Sequence, residues 1–395
     1  MKKLFLFTLV FVLAIGSYAQ SLQDVWMALQ NKNIPLAQKN IDLLMPGNED
    51  NAKAWLYRGN VYLRIYSRDE ERTKKNPSYV SKTPDAAWIA YESFYKALEL
   101  NPNIETDAGL TNPKEGQILC GEPIYNQAVA AHKAGDYEKA EKYYRATIKC
   151  FGLEPTYKQF VGTTYYQLAN MMKQKDGEEA YLAVLDEAIN ANTNFVNIYL
   201  IAYDLYSKQG NIEKCNQILA KGKKNIKKSD DIMYIYSLEL GAAAQENDSA
   251  KLAKAIEHVA KFDTLPEFIA DAATYLINAG KYQEAHALIG NAYEKNLNSF
   301  SLINAMGYTY YMEARSYQDL NNQAVKSKDF EKAKYYKDRQ NELLNYAHEW
   351  VEKAYNIKKD DLQNANMLRQ LKLQLGKEVP EELNEILKQG TAKQQ

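Results

Sequence analysis

The chain has 395 residues, 46% of them hydrophobic, and its 49 basic and 50 acidic side chains leave a formal net charge of -1. With 18 Gly and 10 Pro it has neither the composition of a disordered chain nor that of a turn-rich β protein. The near cancellation of charge, with no basic stripe on the scale of a domain, argues against nucleic acid as a partner.

Residues 1–19 stand apart. Lys2-Lys3 precede an apolar run from Leu4 to Ile15, and Ser17-Tyr18-Ala19 places small residues before Gln20, which together read as a secretory signal peptide. The run of about 12 residues is short of the roughly 17 that span a bilayer. No Cys follows it for lipid attachment, and no later stretch is apolar enough to cross a membrane. The mature chain is therefore expected to be soluble and exported, with the periplasm of a Gram-negative bacterium as its compartment.

Residues 20–102 read as N-terminal helix hairpins. Val25, Trp26 and Leu29 share one helical face, Leu36, Ala37, Ile41 and Leu44 another, and Pro46-Gly47 ends the pair. Trp55, Gly59 and Tyr62 mark a further first helix, and Ala90, Phe94 and Ala97 its partner. Between them the charges and two prolines near 68–84 predict a loop insert. Residues 103–121, with Gly109, Pro113, Gly116, Gly121 and little periodicity, read as a linker.

The main array, 122–376, opens on the stretch from Ile124 to Phe151. Ala128, Ala131 and Ala134 recur at helical spacing, Gly135-Asp136 breaks the run, and Tyr137, Ala140, Tyr144 and Ile148 restart it. Such a hairpin cannot bury its apolar faces alone and needs copies stacked on either side, which predicts an all-α solenoid. Ala128, Gly135, Asp136, Tyr137, Ala140 and Tyr144 resemble the pattern of the tetratricopeptide repeat family, with Thr147 where that family carries a later Ala. The resemblance implies a right-handed α-solenoid of tetratricopeptide-like helix hairpins, in an exported bacterial protein.

The pattern recurs after this hairpin. Val161, Gly162 and Tyr165 pair with Leu185 and Ala188; Tyr199, Tyr203 and Tyr206 precede Gly210-Asn211 and Cys215, Leu219 and Gly222. A hairpin over 231–262 keeps the helical pattern without the small residues, and Ile269, Ala273, Leu276, Gly280, Tyr282, Ala285 and Ile289 restore them. Ile303, Gly307 and Tyr310 face Ala347, Val351 and Ala354 across a long helical insert near 313–344, which holds neither Gly nor Pro. At 1.5 Å per residue, about 14 extra residues in each helix would project roughly 20 Å. Residues 377–395 form a C-terminal capping helix and tail.

Members of the family bind a peptide or protein segment along a concave face lined by the first helix of each hairpin. Carrying those inner-face positions onto this sequence selects Asn60, Arg64, Tyr125, His132, Lys133, Tyr166, Gln167, Asp204, Asn304, Tyr308 and Tyr311 as partner-binding residues. Tyrosines suit such a groove, offering large contact area with a polar tip. Leu56 precedes Asn60 where the carboxylate-clamp subset of the family has Lys, so capture of a C-terminal carboxylate is disfavoured. The resemblance thus implies a non-enzymatic protein-protein interaction scaffold of the cell envelope. The alternative is a periplasmic binding protein for a small ligand or glycan in the tyrosine-lined groove.

His132, His258, His286 and His348 are scattered, and neither a nucleophile elbow nor a phosphate-binding Gly loop is present, so no metal, cofactor or catalytic residue is expected. Of the three cysteines, Cys215 takes a small buried position. Cys120 and Cys150 are placed just before and at the end of one hairpin, so a disulfide between them is expected, contributing on the order of 3 to 4 kcal/mol. The other reading is two reduced thiols flanking the hairpin.

Overall fold

The computed structural model describes residues 21–246 and 248–392; the signal-peptide reading of 1–19 lies outside them. Among the described residues the regular structure is helical, with no strand, and the chain forms two compact units divided between Ile198 and Tyr199. Unit 1 stacks four hairpins: α1 (Leu22–Gln30) with α2 (Ile34–Leu44), α3 (Ala52–Lys75) with α4 (Ala86–Leu100), α5 (Pro113–Lys133) with α6 (Tyr137–Gly152), and α7 (Lys158–Asp176) with α8 (Glu178–Asn190). α9 (Val196–Lys208) runs across the division and leads to α10 (Ile212–Asn225). Unit 2 continues with α11 (Ser229–Gln245), α12 (Ser249–Ala260), α13 (Pro266–Asn278), α14 (Tyr282–Tyr293), α15 (Phe300–Lys326), α16 (Phe330–Ile357), α17 (Leu362–Gln374) and α18 (Glu381–Ala392). Each unit is an all-α stack of helix hairpins.

One turn chemistry closes most of these hairpins. Lys32, Gly135, Gly210, Gly280 and Lys328 all take positive φ, between 55° and 78°. The next residue's N–H then returns to the carbonyl of Ala28, Ala131, Tyr206, Leu276 or Ala324, at 2.8 to 2.9 Å, which satisfies an orphan acceptor of the ending helix. In four of the five the same residue caps the following helix: the side chains of Asn33, Asp136, Asn211 and Asp329 accept from the backbone N–H three residues on.

Phe94 of α4 is fully buried between two glycines of neighbouring first helices. A Cβ on Gly59 of α3 would come within 2.6 Å of its ring, and one on Gly116 of α5 within 2.3 Å. The absence of side chains there lets both helices close on one ring, whose burial contributes about 1.5–3 kcal/mol.

This packing corrects three boundaries. The linker read over 103–121 ends at Asn112, because Pro113 sits in the first turn of α5, where its missing N–H costs nothing, and Asn112 caps the helix by accepting from Glu115 N–H at 2.9 Å. What remains is pinned rather than hinged. Trp26 Nε1 donates to Ala108 O (3.1 Å), Arg64 to Gly109 O (2.9 Å), and Asp107 takes Lys53 (2.8 Å) and the Tyr57 hydroxyl (2.6 Å). The insert near 68–84 is helical through Lys75, and its remaining loop is tied to Asp69, which is 6% exposed and accepts from Tyr79 (3.0 Å) and Ser81 (2.5 Å) and pairs with Arg68 (2.8 Å). The division of the chain falls at residue 198 instead of in the linker.

In unit 2, one core joins α11 to α15 through residues such as Leu240, Ile269, Leu276, Ile289 and Leu302. A second gathers Ala314, Leu343, Ala347, Val351, Leu368 and Leu383 from α15 to α18. α15 and α16 have 27 and 28 residues, about 40 Å each, and meet at Ser327–Asp329.

Candidate functional site

α3, α5 and α7 are the first helices of consecutive hairpins, and unit 1 opens two adjoining depressions along them. One, of about 340 Å³, is lined by Arg64, Tyr66, Ser67 and Glu70 of α3 and by Leu119, Glu122 and Pro123 of α5. The other, of about 380 Å³, is lined by Leu119, Glu122 and Tyr125 of α5, Phe160, Thr163 and Thr164 of α7, and Phe151 and Tyr157 between them. Leu119 and Glu122 belong to both, so the two form one track.

The floor of the track is apolar and its edges are polar. Phe151 stacks on Tyr157 (5.1 Å between centroids) and lies 5.8 Å from Phe160, which is 58% exposed, while Leu119 is 50% exposed. Exposed side chains of this size leave apolar surface in water that a partner would remove. Pro123 lies inside α5 and has no N–H, so the Leu119 carbonyl lacks its usual donor four residues on. Burial, reinforced by Glu70 and Glu122, pushes the Tyr66 hydroxyl up to about 12, so it remains a hydrogen-bond donor over the physiological range. An aromatic floor, a proline-freed carbonyl and a protonated tyrosine are what an extended peptide needs: pockets for side chains and partners for its backbone.

Among the sequence-selected residues, Arg64 and Tyr125 line this track. Tyr125 also meets Tyr144 edge-on at 6.0 Å. Asn60 does not face a partner: it is 1% exposed, and its side chain donates to Thr111 O (3.0 Å) and accepts from Thr111 N–H (2.7 Å). His132 binds Gln174 at 3.1 Å, Lys133 is exposed, and Tyr166 lies against Phe195 at 5.6 Å with Gln167 half-buried beside it. In unit 2, Asp204 pairs with Lys208 (2.7 Å) and the Asn304 amide oxygen accepts from Asn364 (2.8 Å), fixing α15 to α17. Tyr308 is 36% exposed and Tyr311 packs on the α15–α18 core.

No family model matches the sequence, and no curated protein matches it. The structure is similar to solved helical-repeat proteins at low identity. A TPR repeats protein from Bacteroides fragilis has 16% identity over 64% of this chain and 98% of its own, with a TM-score of 0.31. Yeast Tom70 has 14% identity over 92% and 81%, with a TM-score of 0.36, and Pseudomonas aeruginosa PilF 14% over 61% and 89%, with 0.25. The hairpin architecture rests on the turns and glycine contacts described above.

Leu119, Glu122 and Phe160 lie outside the residues that the repeat pattern selects. Leu119 and Glu122 fell in or beside the supposed linker, and Phe160 has no place in the repeat pattern; the signal that marks it is a large apolar residue on the polar side of a helix. The expected disulfide is not formed. Cys120, Cys150 and Cys215 are buried free thiols, and Cys120 lies well inside α5 rather than at the edge of the hairpin. Burial pushes its thiol up to about 12, and that of Cys150 well above its ordinary value, so both pack as compact apolar groups. Among the described residues no group of three or more His, Cys, Asp or Glu side chains is placed to hold a metal ion, and no helix is long and apolar enough to cross a membrane.

Proposed function

We propose that the protein is an interaction scaffold that holds an extended segment of a partner protein along the first-helix track of unit 1, and that it works in the periplasm within an envelope assembly. The observation that carries the binding role is the continuous apolar track through Leu119 and Phe160, flanked by Arg64, Glu122 and Tyr66. The compartment rests on the leader read in residues 1–19 alone.

The test of binding is selection of random dodecapeptides displayed on phage against the purified chain, followed by affinity measurement on the doubly substituted variant Leu119→Glu/Phe160→Glu. Selected peptides are expected to lose at least about tenfold in affinity, since two apolar contacts are replaced by charges. Failure to enrich any peptide, or equal binding to the variant, rejects the track. Export is tested separately: expression in a Gram-negative host should yield periplasmic protein whose N-terminal sequence starts at Gln20, and a cytoplasmic product retaining Met1 rejects it.

A further inference from the structure

On the second-helix side of unit 1, α4 and α6 with the start of α3 enclose a cleft of about 590 Å³. α4 contributes Trp88, Tyr91 and Tyr95 at i, i+3 and i+7, and α6 contributes Lys142, Arg145 and Lys149 at the same spacing, so an aromatic stripe faces a basic one. α3 adds Trp55 and Arg58. The rings carry the cations: the Lys142 ammonium lies 4.2 Å from the Trp88 centroid, that of Lys149 5.5 Å from Tyr95, and the Arg58 guanidinium 5.5 Å from Trp55 and 5.1 Å from Tyr62.

Carboxylates reach only some of these charges. Arg145 is held by Glu141 (3.0 Å) and Glu187 (2.9 Å), Lys96 by Glu99 (2.8 Å), and Lys142 lies 3.7 Å from Glu92. Among the described residues Arg58 and Lys149 have no carboxylate partner: Arg58 donates to the Ser93 hydroxyl at 3.1 Å, and Lys149 meets the Tyr95 ring. A ring attracts a cation but does not neutralise it. Two uncompensated positive charges therefore flank an aromatic cleft in which Tyr95 is 45% exposed.

We propose that this cleft is a second docking site, for an acidic protein segment whose carboxylates pair with Arg58 and Lys149 and whose apolar side chain lies on Tyr95 and Trp55. Charge complementarity selects the occupant. Discrete carboxylates match Arg58 and Lys149, the two cleft cations that no carboxylate holds, because Glu92, Glu99, Glu141 and Glu187 already pair Lys142, Lys96 and Arg145. The site shares no lining residue with the first-helix track and does not depend on it.

The experiment is fluorescence anisotropy on the full chain with a labelled synthetic dodecapeptide of Glu and Ser punctuated by Phe. Its counterpart with Lys for Glu and a thymidine dodecanucleotide serve as the other arms. The acidic peptide is expected to bind, to weaken as salt is raised, and to lose at least about tenfold in affinity on Arg58→Gln/Lys149→Gln; Leu119→Glu/Phe160→Glu leaves it unchanged. No binding of the acidic peptide, equal binding of the Lys peptide or the oligonucleotide, or full affinity in a folded double variant overturns the proposal. If the double variant loses helical circular dichroism, Lys149→Gln alone decides, because that side chain is exposed and packs only on a ring. A loss of about threefold supports the site, and none overturns it.

Discussion

The two surfaces of unit 1 differ in what their side chains do when nothing is bound. Along the first-helix track, Leu119 and Phe160 stand in water over an aromatic floor; in the second-helix cleft cations sit beside the aromatic rings, and charge is what is left unmatched. One surface would gain from apolar burial, with little salt dependence, and the other from charge pairing, with strong salt dependence. A single hairpin array can thus carry two chemically distinct surfaces, because its first and second helices point their outer faces to different sides.

Both surfaces lean on the junction where Phe94 meets Gly59 and Gly116, so the largest effect should come from there. Gly116→Val would force side-chain atoms into the Phe94 ring, already 2.3 Å from an added Cβ, and should cost about 2–3 kcal/mol as overpacking. A lowered urea midpoint is expected together with loss of binding at both surfaces, and Phe94→Leu in the same chain should recover part of it. If one surface keeps full affinity, the two do not share this support.

Asn60→Leu should separate the surfaces. It removes both bonds to Thr111 and leaves that half-buried backbone pair without its partner, a loss of about 1 kcal/mol. The 101–112 loop should become more sensitive to protease and the track, through Arg64, should weaken, while the acidic peptide still binds the cleft.

Gly135→Ala tests the turn chemistry alone. Nothing lies within 4 Å of an added Cβ, but φ is +78°, so about 1 kcal/mol is expected from backbone strain and neither surface should change its affinity.

The smallest effect concerns pH. Burial pulls the Asp69 carboxyl up, but hydrogen bonds from Arg68, Ser81 and Tyr79 outweigh it and hold the group below its ordinary 3.8. A depressed carboxylate contributes stability that is present above the unfolded value and lost as pH falls through the folded one. In Asp69→Asn the midpoint of unfolding should fall less steeply below pH 4 than in the parent chain, with the affinities of both surfaces unaltered.

The hairpins were legible in the sequence because their signals are local. Gly135-Asp136 and Gly210-Asn211 state a left-handed residue followed by a cap, and the apolar spacing on either side states two helices. Pro113, Gly116 and Gly121 misled for the same reason, since local propensity reads them as breakers. Only in the fold does Pro113 find the first turn and Gly116 a ring that leaves no room for a Cβ. Inner-face residues carried over from the repeat pattern divided likewise: Arg64 and Tyr125 line the track, while Asn60 is buried against Thr111 and Asn304 is tied to Asn364, partners 51 and 60 residues away. The cleft depends on an aromatic stripe over 88–95 meeting a basic one over 142–149. Each stripe is written in the sequence as a helical period. Their meeting is decided by the stacking of α4 against α6, because cation–π and ion-pair distances arise between helices, not along them.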